Sequence, residues 1–559
     1  MSDVTVGERT EDKPAVEVDH PWWALVAVLI GMSMIIIDGS IVNVLLPNMV
    51  QDIGLTQVDT QWVNSIYSLI FAALLITVGL MADKHGRRLL FILGAIVFII
   101  GSISSGASQG PGWLIGSRAV QAVGASMMLP STVAVVNVMF SGRQRAMAFG
   151  FWGAVFGGAA ALGPLLGGWL AQDFSWRWAF YVNIPVAIVS VIMVLKLVPE
   201  TKGVVTGKLD IVGVVLSAVG LGLLVWGVIE GQQYGWWTAV SDWDVWFLHL
   251  DDGGLSVVPI SLVIGAILVG LFVLWEFHRR RAGKGMLIDI ALFKIRRYAF
   301  GNVVALIVAL GEFGILFMLP LWMESVHQLD PIQTGMILAT LAVGTLTAGG
   351  AARHVSVLLG ATNVVRVGMV LEIAGIVGIA LLMSTDRSPW WLVIPMIVYG
   401  LGLGFDSAQL TNVVLEDIPA SKSGEASAMT STFRQVGSAF GAAVLGAVLF
   451  SSLSNIFAND LDADNRIPEG EKAGLIEAID VTAGQYILVM DQQVGQNPAL
   501  APAIEDAENA YTTAGQVTAY VAAGFVFLGL VLSYGLPRDR KPEPEPAPEP
   551  DSGDLTPAA

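Results

Sequence analysis

Long apolar runs separated by short polar stretches make up most of this chain. Fourteen of them are near the ~20 residues that an α-helix needs to cross a ~30 Å hydrocarbon core, at 23–46, 60–80, 89–107, 113–137, 146–171, 179–198, 210–229, 257–277, 298–323, 334–352, 364–383, 390–414, 425–451 and 515–535. Within lipid every backbone N–H and C=O must be satisfied inside the segment, so such runs predict helices. The expected fold is an all-α polytopic membrane protein.

The polar residues between the runs order them across a membrane. With both termini on the inner side, 23 of the 29 Lys and Arg fall in inner loops and tails and four in outer loops; Arg118 and Arg434 lie within spans. Cytoplasmic loops are enriched in Lys and Arg, so the split predicts cytoplasmic termini and an even number of crossings in the cell membrane. Residues 1–21 form an acidic tail, 22–200 a first six-span bundle, 201–285 a linker with two further spans and 286–537 a second six-span bundle. The second bundle contains a long acidic outer loop, 453–514, with a mixed stretch Ala473–Val494 that reads as a short surface helix. Residues 538–559 form a Pro/Glu-rich tail expected to be disordered. Two six-span halves are the plan of transporters that bind their substrate near the bilayer midplane between the halves.

Composition narrows the chemistry. The chain is 54% hydrophobic and only 13% charged, where a soluble domain is about 25% charged, and its mean hydropathy is +0.68. It has no cysteine, which excludes disulfides, thiolate catalysis and cysteine metal sites. No cleavable leader is expected. Of the net charge of −17, residues 1–20, 230–258, 453–514 and 536–559 carry −4, −5, −9 and −3, which leaves the rest at +4. Acidity confined to tails and loops argues against nucleic acid as a partner. No Walker-type nucleotide loop and no convincing catalytic or metal cluster is present, so neither an enzyme, an ATP-driven pump nor a cofactor is expected.

Charges inside the spans carry the functional reading. Asp38 stands in Met34-Ile-Ile-Ile-Asp38-Gly-Ser-Ile-Val-Asn43-Val-Leu-Leu-Pro47. A carboxylate there costs roughly 3 kcal/mol on insertion scales, so such a residue is by default a proton or substrate site; the plainer alternative is a carboxylate neutralised by a neighbouring Arg. At 1.5 Å per residue Asp38 lies about 22 Å above the inner end of its run and Arg118 about 8 Å below the outer end of its own. These depths coincide, and the two are expected to interact. The same arithmetic puts Glu312 in the outer third and Asp406 in the inner third, with Glu372 and Arg434 near the middle as a structural pair. Trp62, Tyr67, Phe71, Trp152, Trp322, Tyr399 and Phe405 are candidates to line a cavity and bind planar cations through their π faces; Trp and Tyr are also common at membrane interfaces.

Gly79-Leu-Met-Ala-Asp83-Lys-His-Gly86-Arg87-Arg88 resembles the signature loop between spans 2 and 3 of the major facilitator superfamily. There, Gly79 would allow close helix approach, and Asp83, Gly86, Arg87 and Arg88 would form a charged latch for one access state. In the second half Gly349–Arg366 should repeat this loop but lacks the Asp, so any inner latch is expected to be one-sided. Arg118-Ala-Val-Gln121-Ala122-Val-Gly124 is similar to the family's span-4 motif, with Ala122 where Gly is usual, and the motif marks Arg118 for proton coupling. Gly150, Ala159 and Gly163-Pro164-Leu-Leu-Gly167-Gly168 resemble the antiporter motif of span 5, which is associated with export. Small residues let membrane helices pack closely, and Pro164 removes a helix hydrogen bond. The Asp38 stretch, Trp176-Arg-Trp-Ala-Phe-Tyr-Val-Asn183-Ile-Pro185, Met286–Phe293 and Thr432–Gly437 resemble the fourteen-span drug:proton antiporter branch.

The resemblance implies a proton-coupled exporter of lipophilic or cationic drugs or antiseptics that works by alternating access, with Asp38 and Arg118 as proton-coupling or substrate residues; Glu312 and Asp406 match no family motif and join them as candidates because they are acids within spans. Its partners would be the substrate, protons and the lipid bilayer, and it would act as a monomer. The motifs equally admit a dedicated exporter of one endogenous metabolite or antibiotic. A non-transporting sensor on the same fold is a third reading.

Overall fold

A computed structural model describes residues 19–537, except 141, 203–209, 240–242, 246–247, 251–252, 285, 288–289, 419–422, 483, 485 and 495–499. Every run predicted as a span is helical. The first half comprises α1 (Pro21–Ile53), α2 (Gln57–His85), α3 (Arg87–Gly106), α4 (Pro111–Met139), α5 (Gly142–Asp173) and a sixth crossing split into α6 (Trp178–Tyr181) and α7 (Asn183–Leu197). Next come α8 (Ile211–Ile229), a short α9 (Gly231–Tyr234) and α10 (Val257–Arg281). The second half comprises α11 (Arg296–Val326), α12 (Pro331–Leu359), α13 (Ala361–Leu382), α14 (Val393–Leu415), α15 (Ser423–Ala463), α16 (Glu469–Val481), α17 (Tyr486–Val494) and α18 (Ala501–Ser533). Among the described residues, eleven helices are long and apolar enough to cross a membrane; α2, α4 and α5, which carry polar and glycine-rich motifs, are the predicted spans outside that set.

Local chemistry starts and stops these helices where the sequence changes character. Gly54 ends α1 in a left-handed conformation, φ 67°, which glycine adopts without steric cost. A reciprocal capping box then opens α2: the Asp59 amide donates to Thr56 Oγ1 at 3.1 Å and the Thr56 amide to Asp59 Oδ2 at 2.9 Å. The second half repeats the device, with Pro331 in the first turn of α12 and Asp330 and Gln333 forming the box.

Helices α2 and α5 of the first half pack on α15 and α12 of the second, so the second and fifth helices of each half exchange partners. The α8–α10 pair lies outside this core, with α8 against α2 and α15. Val58, Leu69, Val225, Ile229, Ala439 and Ala443 bury that junction.

Two segments differ from the reading by sequence. The acidic outer loop is partly helix: α15 runs on to Ala463, α18 begins at Ala501, and the Ala473–Val494 stretch is two helices, α16 and α17, rather than one. The linker contains an antiparallel hairpin, β1 (Trp243–Val245) with β2 (Leu248–Leu250), paired Trp243 to Leu250. Its strands are three residues each, too short for alternation to stand out along the sequence.

Candidate functional site

Asp38 is fully buried on α1, and donors from two helices, α4 and α7, converge on its carboxylate. Arg118 of α4 forms an ion pair with Oδ2. Gln121, one turn further along α4, donates from Nε2 to Oδ1 at 2.9 Å. Asn183, the first residue of α7, donates from Nδ2 to the same oxygen at 2.8 Å. Ser102 of α3 accepts from Gln121 at 2.8 Å and from Asn183 at 3.3 Å, which ties the donors together. The Arg118 guanidinium also lies 4.4 Å from the centre of the Tyr67 ring, a cation–π contact. Gly101 makes this convergence possible: a Cβ there would stand 2.6 Å from the Gln121 amide nitrogen, so only glycine lets α3 and α4 approach this closely. A buried ion that keeps its charge needs a partner and hydrogen bonds for its remaining lone pairs. Asp38 has both.

The sequence reading brought Asp38 and Arg118 together by depth. It left out Gln121, Asn183 and Ser102. Gln121 lies in the Arg118 motif and Asn183 in the Trp176–Pro185 segment, which is the signal that points to them; Ser102, one serine among several in an apolar run, carries none.

A second charged group lies in the other half. Glu312 of α11, Glu372 of α13 and Asp406 of α14 are 2%, 0% and 0% exposed, and each offers an oxygen within 4.8 Å of the others. Arg434 Nη2 of α15 stands 3.6 Å from Glu312 Oε2. Two expectations are corrected here. Arg434 makes its ion pair with Glu312, not with Glu372, and Glu312 and Asp406 share one level rather than opposite thirds of the bilayer. The depth arithmetic assumed that the ends of the apolar runs mark the membrane surfaces. Helix α11 has 31 residues, about 46 Å at 1.5 Å each, so it overruns a ~30 Å core and its ends report no depth.

The two groups occupy equivalent places. Asp38, Ser102 and Arg118 with Gln121 come from the first, third and fourth helices of one half, and Glu312, Glu372 and Asp406 from the first, third and fourth of the other.

Of the loop motif, Gly86 has φ 130° between α2 and α3. Its missing side chain leaves room for Glu200, whose carboxylate caps α3 by accepting from the Arg88 amide at 3.0 Å and the Leu89 amide at 3.1 Å. Arg88 reaches the Val198 carbonyl at 3.2 Å, and the Arg87 amide donates to the Thr201 carbonyl at 3.0 Å. The loop therefore ties α3 to the end of α7 through Glu200, a residue the sequence reading assigned no role. The second half repeats the tie: Gly360, φ 85°, separates α12 from α13, and Arg366 reaches the Ser533 carbonyl of α18 at 3.0 Å. Gly79 does not enforce the close approach expected of it, since a Cβ would rest 3.7 Å from Pro130 Cβ, an ordinary contact. The side chains of Asp83 and Trp152 and the surroundings of Gly150 in α5 lie outside what the structure describes.

The rest of the span-5 motif packs at one end of the bundle. A Cβ on Gly163 would overlap Ser40 Oγ, one on Gly167 would stand 2.8 Å from Ile41 Cγ1, and one on Gly168 would overlap the Pro331 carbonyl oxygen and stand 3.0 Å from Ile332 Cα. In return a Cβ on Gly335 would come 2.5 Å from the Pro164 carbonyl oxygen. Thus α5 seals against α1, two residues past Asp38, and against α12 of the other half. Gly446 against Gln61 and Ser65 against the Ala439 carbonyl, at 3.3 Å, close α2 on α15. Toward the other end of α12, Gly349 and Gly350 have open space around them, and Val357 and Leu358 are exposed. The bundle is shut at the end bearing Gly54 and Pro331.

Most of the candidate cavity aromatics are packed in this arrangement. Trp322 donates to Thr512 Oγ1 at 2.9 Å, Tyr399 to the Glu312 carbonyl at 3.1 Å, and Phe71 stacks on Tyr67 with centroids 6.1 Å apart. Trp62, half-buried, donates to Glu230 at the end of α8 at 3.0 Å. Phe405 is half-buried beside Gly368.

Comparison with known proteins decides the family. Residues 28–442 match the model of the Major Facilitator Superfamily. The chain belongs to this superfamily. It is 30% identical over 478 residues to the puromycin resistance protein of Streptomyces alboniger, covering 84% of this chain and 89% of the relative. It is 30% identical over 431 residues to the multidrug resistance protein Stp of Mycobacterium tuberculosis, covering 77% and 76%. Its fold is similar to a bacterial homologue of the human lysosomal transporter Spinster, solved inward-facing and unoccupied, with TM-score 0.58 at 16% identity over 94% of this chain and 99% of that one. The protein is therefore a major facilitator transporter and not an enzyme.

Proposed function

We propose that this transporter is a proton-driven efflux antiporter for lipophilic and cationic drugs or antiseptics, of the fourteen-span type. The observation that carries the reading is the buried Asp38 carboxylate, held by Arg118, Gln121 and Asn183 one turn from the Gly163 contact between α1 and α5. A proton arriving at Asp38 neutralises the anion and releases Arg118 and the α7 donor, so protonation and helix packing act on the same residues. The ionised acid attracts a cation, and its protonation lets the cation go. Exchange of one proton for one monovalent cation moves no net charge, whereas each uncompensated charge is worth about 2.3 kcal/mol per 100 mV; a dication needs a second acidic centre. On the orientation read from Lys and Arg, both termini are cytoplasmic, the shut end faces outward, and the conformer is inward-facing in the cell membrane. The working unit is a monomer that requires neither ATP nor a cofactor.

Relatives named for puromycin resistance and multidrug resistance support export. The first of these names a single antibiotic and favours, as the second reading, a dedicated exporter of one compound. Proton release from proteoliposomes with an imposed pH gradient separates the two on addition of a panel of lipophilic mono- and dications, with Asp38→Asn as control. Several cations should each move protons, and the variant should abolish the response. Silence toward every cation rules out the multidrug reading. A response that survives in Asp38→Asn rules out Asp38 as the coupling site.

A further inference from the structure

The carboxylates of the second half lack what Asp38 has. Where Asp38 meets Arg118, Gln121 and Asn183, the equivalent helices of the second half present Glu372 and Asp406 to Glu312. Both oxygens of Glu372, both of Asp406 and Oε1 of Glu312 are buried without a hydrogen-bond partner. The backbone holds them there. A Cβ on Gly402 would stand 2.6 Å from Glu372 Cγ, and one on Gly368 would stand 2.9 Å from the Asp406 amide nitrogen, so α13 and α14 are in close contact at this level. Among the described residues, the titratable and charged groups facing the cluster are Arg434 from α15, 3.6 Å from Glu312, and Tyr399 from α14, whose hydroxyl is committed to the Glu312 carbonyl.

We propose that Glu312, Glu372 and Asp406 form a proton store that holds two protons beside Arg434, with protons supplying the donors that Arg118, Gln121 and Asn183 supply to Asp38. Charge and hydrogen bonding both require this number. Three carboxylates face one guanidinium, so two protons make the cluster neutral and leave one carboxylate for Arg434. Each protonated carboxyl gains an O–H donor, and the neighbouring oxygens are its acceptors. A hard divalent cation would balance the same charge, but the Arg434 guanidinium already stands 3.6 Å from Glu312 and would repel it. The cluster offers three carboxylates, a cation already seated beside them, and a tyrosine hydroxyl committed elsewhere. As a coupling site for a second proton the store rests on the antiport reading above; as a proton store it stands without it.

Infrared difference spectroscopy of the purified full-length protein in detergent tests the store with no transport step. At neutral pH the parent should show protonated-carboxyl C=O bands that shift on deuteration. Glu372→Gln and Asp406→Asn should each remove intensity, and Asp38→Asn should leave these bands in place. Solutions containing Ca²⁺ or Mn²⁺ should not change them. Absence of such bands in a folded, monodisperse parent, or their survival in both variants, overturns the proposal. Their replacement by carboxylate bands on addition of either metal overturns it in favour of a cation site. Failure of the antiport assay alone leaves these readings unaffected, so the two hypotheses fail separately.

Discussion

The shut end of the bundle depends on Gly168, and Gly168→Ala should open it. The added methyl would overlap the Pro331 carbonyl oxygen and lie 2.8 Å from the Pro331 carbonyl carbon and 3.0 Å from Ile332 Cα. Comfortable carbon contacts are about 3.5–4.0 Å. The obstacles are backbone atoms, so no rotamer change relieves the overlap, and α5 and α12 must separate. Overpacking of this kind costs about 1–3 kcal/mol. The cost falls on the conformer in which the two helices touch and vanishes where they part, so the opening equilibrium should rise by about 5–150-fold. The absence of native cysteine provides a clean reporter. Gln61→Cys places one thiol at a fully buried position on α2, facing Gly446 of α15. Its rate of labelling by a membrane-impermeant maleimide in intact cells should rise by that factor when Gly168→Ala is added. Gly116→Ala, where nothing lies within 4 Å of the new methyl, should leave the rate unchanged. An unchanged rate in Gly168→Ala, with the protein present at the parent's level, would refute the assignment of this contact as the seal.

Glu200→Ala removes the acceptor for two amides at the start of α3 and should cost about 0.5–2 kcal/mol. It is read as a lower Tm in detergent by thermal size-exclusion chromatography, and an equal Tm would show that the tie from α3 to α7 is decorative. Glu230, just beyond α8, has its carboxyl pushed above the ordinary value of 4.5, first by burial, with the Trp62 hydrogen bond working the other way. A raised folded-state pKa means that the folded protein binds this proton more readily than the unfolded chain does. That stabilisation is complete below the unfolded value and is lost as pH rises through the folded one. Glu230→Gln keeps an acceptor for Trp62 and removes the titration, so its Tm relative to the parent should climb as pH is raised from below 4.5. A difference independent of pH would contradict the burial argument.

The sequence located the helices well because lipid imposes one solution on each segment. A run such as 89–107, which holds no charged residue, has no alternative to helix in a bilayer, and α3 is found at Arg87–Gly106. In the structure, equally local contacts set the helix ends: the capping boxes at Thr56 and Asp330 and the glycines at 54, 86 and 360. The Asp38–Arg118 pair was within reach of depth arithmetic. The same arithmetic separated Glu312 from Asp406, because α11 overruns the membrane thickness and its apolar ends do not mark depth.

The order of residues alone specifies that this chain is a bundle of membrane helices, that charges are concentrated at a few points within it, and that small residues stripe the fifth helix. Each is a property of one segment in its solvent, and one segment is what a sequence displays. The tertiary structure decided which charges meet. It gave Asp38 the side-chain donors of Gln121 and Asn183, gave Glu312 to Arg434, and set Glu372 and Asp406 against each other without donors. Those choices depend on the rotation and translation of helices that are distant along the chain. Contacts such as Gly101 on Gln121 and Gly402 on Glu372 set them to within an ångström, a precision that helix rise and apolar pattern along single segments do not carry.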